Sequence, residues 1–198
     1  MKAAIKHLKK DPVLAEVIKR VPAPQSYGRG THFQFLVESI ISQQLSGKAA
    51  DTITTRFKKL FPRKRFPTPA DLLKTPTVKL RSVGLSGQKV KYIKELAKHI
   101  QNRNIKLHRV KSMTDQEIIE QLIKVKGIGQ WTAEMFLMFS LQRPDVFSYG
   151  DLGLRNAMQK LYKLKKHPTP KQAAKISAKW SPHRTLASRY LWASLKLL

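Results

Sequence analysis

Asp151 stands just after "FSYG" and opens the stretch "DLGLR", in a chain that has few acids. Two roles suit a carboxylate there. It can cap a helix, accepting the first unpaired amides and interacting with the positive end of the helix dipole. It can also do chemistry, since a fixed carboxylate stabilises positive charge that develops beside it and can orient or deprotonate a water. The roles are compatible, because a capping carboxylate is already held in place. Asp145, in "QRPDVF", reads as a structural hydrogen-bonding acid. Asp115 and Glu117 fall in a first helical turn, where capping explains them, and most other acids lie among lysines on exposed helices.

A second constellation is "LIKVKGIGQWTA", Leu122 to Ala133. It reads as helix, a turn with two glycines, then helix. Gly127 and Gly129 permit close backbone approach. Amides at the start of the second helix, around Gln130 and Thr132, then lack helical partners and can receive a phosphate. Lys124 and Lys126 add charge beside it. Such a contact positions a nucleic acid without reading its sequence. The glycines alone fit a plain helix-to-helix turn equally well.

The charge balance favours the phosphate. Lys and Arg number 39 against 12 Asp and Glu, for a net charge of +27 over 198 residues. A chain this basic adheres to polyanions, with an affinity that falls as salt rises. The sequence has no cysteine, which excludes disulfides, thiolate chemistry and cysteine-held clusters. The histidines are scattered, with no ligand spacing, so no metal is expected. "GIG" lacks the lysine and serine of a nucleotide loop. No apolar run reaches the roughly 18 residues of a membrane span, and no signal-peptide core opens the chain. The expected setting is the cytoplasm or nucleoid.

The elements that must position these residues read as helices nearly throughout, giving an all-α fold with short connectors. Asp11 to Ile18 forms a short helix, and residues 21–30 a connector. From Thr31, the spacing of Phe33, Leu36, Val37, Ile40 and Ile41 gives a buried helical face. Ser46-Gly47 ends that helix and Lys48 to Leu60 forms the next. Thr68-Pro69 opens a short helix, and Ser86 caps one whose apolar side is Val90, Ile93, Leu96, Ala97 and Ile100. Thr114 and Glu117 make a capping box for a helix that buries Ile118, Ile119, Leu122, Ile123 and Val125. Helices follow over Gln130 to Leu141 and Asp151 to Leu161. Thr169-Pro170 and Ser181-Pro182 open the last two.

"VKGIGQWTA", with "RPDVF" and "DLGLR" after it, resembles the helix-hairpin-helix DNA glycosylase superfamily, in which a hairpin and a Gly/Pro-rich loop precede a catalytic Asp. The closest resemblance is to its AlkA and yeast-MAG branch of 3-methyladenine glycosylases, over about Thr31 to Leu198. It implies a two-lobed fold: residues 1–30 pack on a C-terminal lobe of 144–198, and a central lobe of 31–143 holds the hairpin at 115–140. Residues 1–30 cannot hold the separate β domain of bacterial AlkA. The resemblance makes Asp151 the catalytic acid and places Gly150 where bacterial AlkA has a second acid. It puts Trp131 where strand-cutting members carry a lysine nucleophile, so the implied enzyme leaves an abasic site uncut.

An enzyme of this kind must extract its base from the duplex. The resemblance matches Trp131 and Trp192 to tryptophans of the pocket, where an indole face attracts a cationic base. Met135 falls at the pocket floor, and Tyr149 and Phe147 flank it; Trp180 packs the last helices. His32 and Phe33 lie near the cleft. "ISQQLSG" resembles the minor-groove plug, with Gln44 at the wedge position and Gln43 and Leu45 beside it. "LRSVGLSGQK" resembles the middle segment, with Gly84, Gly87 and Lys89 as further phosphate contacts. Arg155 anchors a phosphate or holds the Asp loop. The implied partner is double-stranded DNA with alkylated bases, acted on by a monomer without membrane or organic cofactor, and a monovalent cation on hairpin carbonyls is a family feature. The competing readings are a non-catalytic DNA-binding module and a glycosylase for another damaged base.

Overall fold

The computed structural model describes residues 1–23 and 30–197; the expected connector over 21–30 lies largely outside them. The described residues form helices and no strand. The chain divides into two compact units, Met1–Gly28 with Leu137–Leu198, and Arg29–Phe136. The division after Phe136 comes earlier than the residue 143 read from sequence.

The first unit begins with α1 (Lys2–Leu8) and α2 (Pro12–Arg20). Helix α1 is absent from the sequence reading, because its single buried side chain is Leu8 and so it shows no apolar periodicity. The second unit holds α3 (His32–Ser42), α4 (Gly47–Lys59), α5 (Pro69–Lys74), α6 (Thr77–Arg81), α7 (Gly87–Gln101), α8 (Asp115–Leu122) and α9 (Gln130–Met135). Thr31, Thr68, Ser86 and Thr114 cap their helices as their types predict, and Thr68 and Thr114 do so within capping boxes. Ser46 does not end α3. Its side chain accepts from the Ala49 amide at 3.4 Å and caps α4. Helix α3 stops at Ser42; Gln43 leaves the helical path with a ψ of 132°, and Gln44 follows with a φ of +57°.

Leu36, Val37, Ile40, Ile41, Phe57, Leu72, Leu80, Ile93 and Leu96 are buried in this second unit. Ile123, expected with them, is 46% exposed, because α8 ends at Leu122 and the chain turns away. Beyond α9 the helix widens into a π-helical segment, Phe136–Ser140, where a continuous α-helix to Leu141 was expected.

The first unit resumes with α10 (Leu152–Leu161), α11 (Pro170–Ser177) and α12 (Arg184–Ser194). Thr169 caps α11; α12 starts two residues beyond Pro182. The core joins Leu8, Leu14 and Val17 to Leu154, Met158, Trp180, Tyr190 and Leu191. A buried acid ties these ends together. Asp11 Oδ1 caps α2 through the Val13 and Leu14 amides. Its Oδ2 accepts the Tyr162 hydroxyl at 2.7 Å and the Trp180 indole N–H at 3.1 Å. Burial, then the bond to Asp11, pushes the Tyr162 phenol well above its usual range.

Asp11→Ala removes one cap and leaves two buried donors without an acceptor. We expect a loss of at least about 3 kcal/mol in urea unfolding, against less than about 1 kcal/mol for Glu16→Ala on the exposed face of the same helix. Equal effects would show that the Asp11 network adds nothing to the join.

Candidate functional site

In the first unit, Asp151 is the N-cap of α10 and is 8% exposed. Its Oδ1 accepts the Leu154 amide at 2.7 Å and the Trp192 indole N–H at 2.8 Å. Two donors from separate elements therefore fix the carboxylate. The Trp192 ring lies 5.8 Å from that of Phe139, tilted by 33°. Gly153 makes this arrangement possible. A Cβ there would sit 3.0 Å from Trp192 Cδ1 and 3.2 Å from Asp151 Oδ1. Sequence reasoning passed over Gly153, since glycine inside a helix signals a close approach without saying to what. It also passed over Leu152, which follows Asp151 and is 60% exposed.

The other acid of this segment is structural, as its type suggested. Asp145 accepts from Arg184 Nε at 2.8 Å and Nη2 at 2.9 Å, and from the Ser181 hydroxyl at 2.8 Å. These contacts tie the loop before Asp151 to the start of α12. Burial pushes the Asp145 carboxyl up, but the Arg184 and Ser181 hydrogen bonds outweigh it and hold it below the usual carboxylate range. Thr185 adds to the tie, donating to the Arg143 carbonyl at 2.6 Å and accepting the Val146 amide at 3.1 Å.

Phe147, placed by the resemblance beside the pocket, lies in the core of this unit. It is 5% exposed and packs in the core against Trp180, with Tyr149 edge-on to it at 5.0 Å. Tyr149 is half-buried and lies beside Arg184. Arg155 does not hold the Asp loop through its side chain: its guanidinium lies 3.4 Å from His167 Nδ1.

In the second unit the hairpin turn is exposed at Lys124, Lys126, Gly129 and Gln130. Gly127 has a φ of +89°, and a Cβ there would fall 2.2 Å from the Tyr92 ring. Gly129 has open space around it and ordinary backbone angles. Lys126 donates its amide to Glu95 at 3.2 Å. Thr132 is buried at 4% exposure, so its side chain supports α9 and is not on the hairpin surface. Trp131 is 49% exposed, whereas Met135, on the same helix, is buried. His32 is half-buried and edge-on to Phe136, and Phe33 is in the core, edge-on to Phe66.

The turn after α3 places Gln43, Gln44 and Leu45 differently. Gln43 donates to the Gly127 carbonyl at 2.7 Å and so points into the fold. Gln44 and Leu45 are exposed. Lys89 turns inward as well: its Nζ donates to the Ile41 and Gln43 carbonyls, each at 2.7 Å, and burial pushes its ammonium down. It therefore caps the end of α3. Gly84 has a φ of +102° and packs over Ile53; Gly87 begins α7 with open space around it. No group of three or more His and acid side chains that could hold a metal occurs among the described residues, and no helix there is long and apolar enough to cross a membrane.

Comparison with known proteins assigns this arrangement. Residues 37–183 match the model of the HhH-GPD superfamily base excision DNA repair proteins. The chain belongs to that superfamily. It is 37% identical over 166 residues to DNA-3-methyladenine glycosylase 1 of Schizosaccharomyces pombe, covering 83% of this chain and 73% of that one. The fold superimposes with a TM-score of 0.87 on a 3-methyladenine DNA glycosylase of the same yeast solved with abasic DNA, at 34% identity over 98% of this chain and 97% of that one. A DNA-3-methyladenine glycosidase from Bacillus halodurans gives 0.84 at 35% identity, over 95% and 86% of the two chains.

Two contrasts follow within these elements. Gly127→Ala should cost about 2 kcal/mol or more in chemical unfolding, from its positive φ and the Tyr92 ring, while Gly129→Ala stays within about 1 kcal/mol of the parent. A harmless Gly127→Ala would refute the packing described. Asp145, with its lowered value, stabilises the fold fully above the unfolded carboxylate value near pH 4, and the contribution is lost as pH falls through the lowered value. Asp145→Asn should therefore flatten the loss of stability on acidification, read from urea midpoints between about pH 5 and pH 2.5; an unchanged slope would contradict the Arg184 tie.

Proposed function

We propose that the protein is a monofunctional DNA glycosylase that releases alkylated purines, 3-methyladenine foremost and 7-methylguanine with it, from duplex DNA. One observation carries the reading: a nearly buried carboxylate, Asp151, is fixed by an amide of its own helix and by the indole of Trp192.

The chemistry follows from that fixed carboxylate. The bond from C1′ to the base nitrogen breaks and its electron pair leaves with the base. A cationic alkylpurine becomes neutral as it departs, so one carboxylate suffices and no general acid is demanded. Asp151 faces the positive charge on the sugar, where preorganised electrostatics act most strongly. Water adds its oxygen to C1′ and loses a proton, leaving an abasic site. Trp131, with half its surface exposed, is the stacking face assigned to a cationic base. The resemblance places it where strand-cutting members carry a lysine, which supports an uncut product.

Trp192, matched by the resemblance to a pocket tryptophan, also positions Asp151 through its N–H. The hairpin turn and net charge of +27 support phosphate contacts on double-stranded DNA, with Gln44 and Leu45 as the minor-groove plug. We assign the protein to act as a monomer in the compartment that holds the DNA. At the hairpin, the Gly127 carbonyl already accepts from Gln43. A carbonyl oxygen has a second lone pair, so a monovalent cation there is compatible with the turn, and its role would be to support phosphate binding.

The test is release of labelled bases from methylated duplex DNA, with strand breaks scored with and without alkali. Wild type should release 3-methyladenine and give breaks only after alkali. Asp151→Asn should lose at least about 100-fold in rate. Trp192→Phe, which keeps the ring and removes the donor, should lose about tenfold with a small change in melting temperature. Salt-sensitive duplex binding without release would establish a binding module instead, and equal release by Asp151→Asn would remove that residue from the chemistry.

A further inference from the structure

We infer that Lys89 is a positioning residue for base extrusion, clamping the turn Gln43–Leu45 to the hairpin so that plug and phosphate-binding turn move as one element. The inference rests on the reading of that turn as the plug.

Helix α3 ends at Ser42, so its last carbonyls have no helical partner. Lys89 reaches across from the first turn of α7 and donates to two carbonyls at that end, those of Ile41 and Gln43. A cation at a helix C-terminus also complements the helix dipole. Gln43, its carbonyl held, sends its side-chain amide to the Gly127 carbonyl. The same helix supports the hairpin from below: Tyr92 packs under Gly127, and Glu95 accepts the Lys126 amide. Lys89, Tyr92 and Glu95 recur at spacings of three along α7 and serve one structural end. In a chain with 39 basic residues, this lysine directs its ammonium to two backbone carbonyls.

The consequence concerns Gln44 and Leu45, exposed residues of a turn tied at Gln43. Extruding a base costs unstacking energy that a plug offsets by filling the gap. A loose plug would also have to be ordered at that moment, and the clamp removes that entropic cost beforehand.

Binding to a duplex with a tetrahydrofuran abasic analogue, relative to the intact duplex, isolates plug insertion from chemistry and from total charge. The variants are Lys89→Met, Lys89→Arg and Gln43→Leu, with Gln44→Ala and Leu45→Ala testing the plug itself. We expect Lys89→Met to shrink the preference for the abasic duplex by a factor on the order of ten, Gln43→Leu to shrink it less, and Lys89→Arg to retain most of it. If Gln44→Ala or Leu45→Ala abolishes the preference while Lys89→Met and Gln43→Leu keep it, the clamp is refuted and the plug stands. If neither plug variant changes the preference, or wild type has none, the plug reading falls and the clamp with it. Should Lys89→Met fail to fold, Gln43→Leu decides by the same ratio.

Discussion

One oxygen atom, Asp151 Oδ1, receives two N–H donors that come from very different places in the chain. The Leu154 amide is local and is delivered by helix geometry alone. The Trp192 indole is 41 residues away and arrives only because α12 packs on α10. A cap made of the first donor alone would leave the carboxylate free to rotate about its side chain. The second donor removes that freedom, at a distance of 2.8 Å. Everything around it serves the same end. Gly153 leaves room for the indole, Phe139 backs its ring, and Asp145 with Thr185 ties the preceding loop to the helix that carries the tryptophan. For a reaction whose main requirement is a negative charge in a set place, orientation fixed before the substrate arrives is the contribution a protein can make.

The second unit solves a related problem with backbone groups. Its hairpin turn, exposed at Lys126, Gly129 and Gln130, is held in one shape from within. Gly127 supplies the positive φ, and Tyr92 fills the space a side chain would have taken. Polar atoms finish the turn: Glu95 accepts an amide, Gln43 donates to a carbonyl, and Lys89 closes the end of α3. All of these supports except Gln43 lie on α7, so one helix sets the shape of two turns.

Local rules carried much of this in the sequence. Thr31, Thr68, Ser86, Thr114 and Thr169 announced their helices, because a capping hydroxyl acts on an amide three residues away. Asp151 was visible for the same reason. What stayed hidden depends on distant partners. Nothing near Asp11 names Tyr162 or Trp180, and nothing in "SGQKVKY" says that Lys89 looks inward. Phe147 and Thr132 have the types expected of a pocket and a phosphate turn, yet burial makes them core and support. Ser46-Gly47 misled because serine and glycine fit a helix end as well as a helix start. The break between α3 and α4 is made by Gln43, with a ψ of 132°, and Gln44, with a φ of +57°, residues of no special turn propensity.

The scarcity of acids adds a last constraint. With 12 carboxylates against 39 basic side chains, every surface acid weakens the attraction for a polyanion. Several of those that remain accept backbone amides: Asp11, Asp71, Glu117 and Asp151 at helix starts, and Glu95 under the hairpin. A lysine or glutamine cannot take over such a site without losing the negative charge at the helix N-terminus. Asp71 and Glu117 close their boxes within a few residues and end there. Asp11 and Asp151 also accept an indole N–H from far along the chain. In Asp11 that second bond joins the ends of the chain inside the core. In Asp151 the same construction stands beside an exposed leucine. The same capping motif thus makes a join at Asp11 and a fixed charge at Asp151, with no difference in local chemistry.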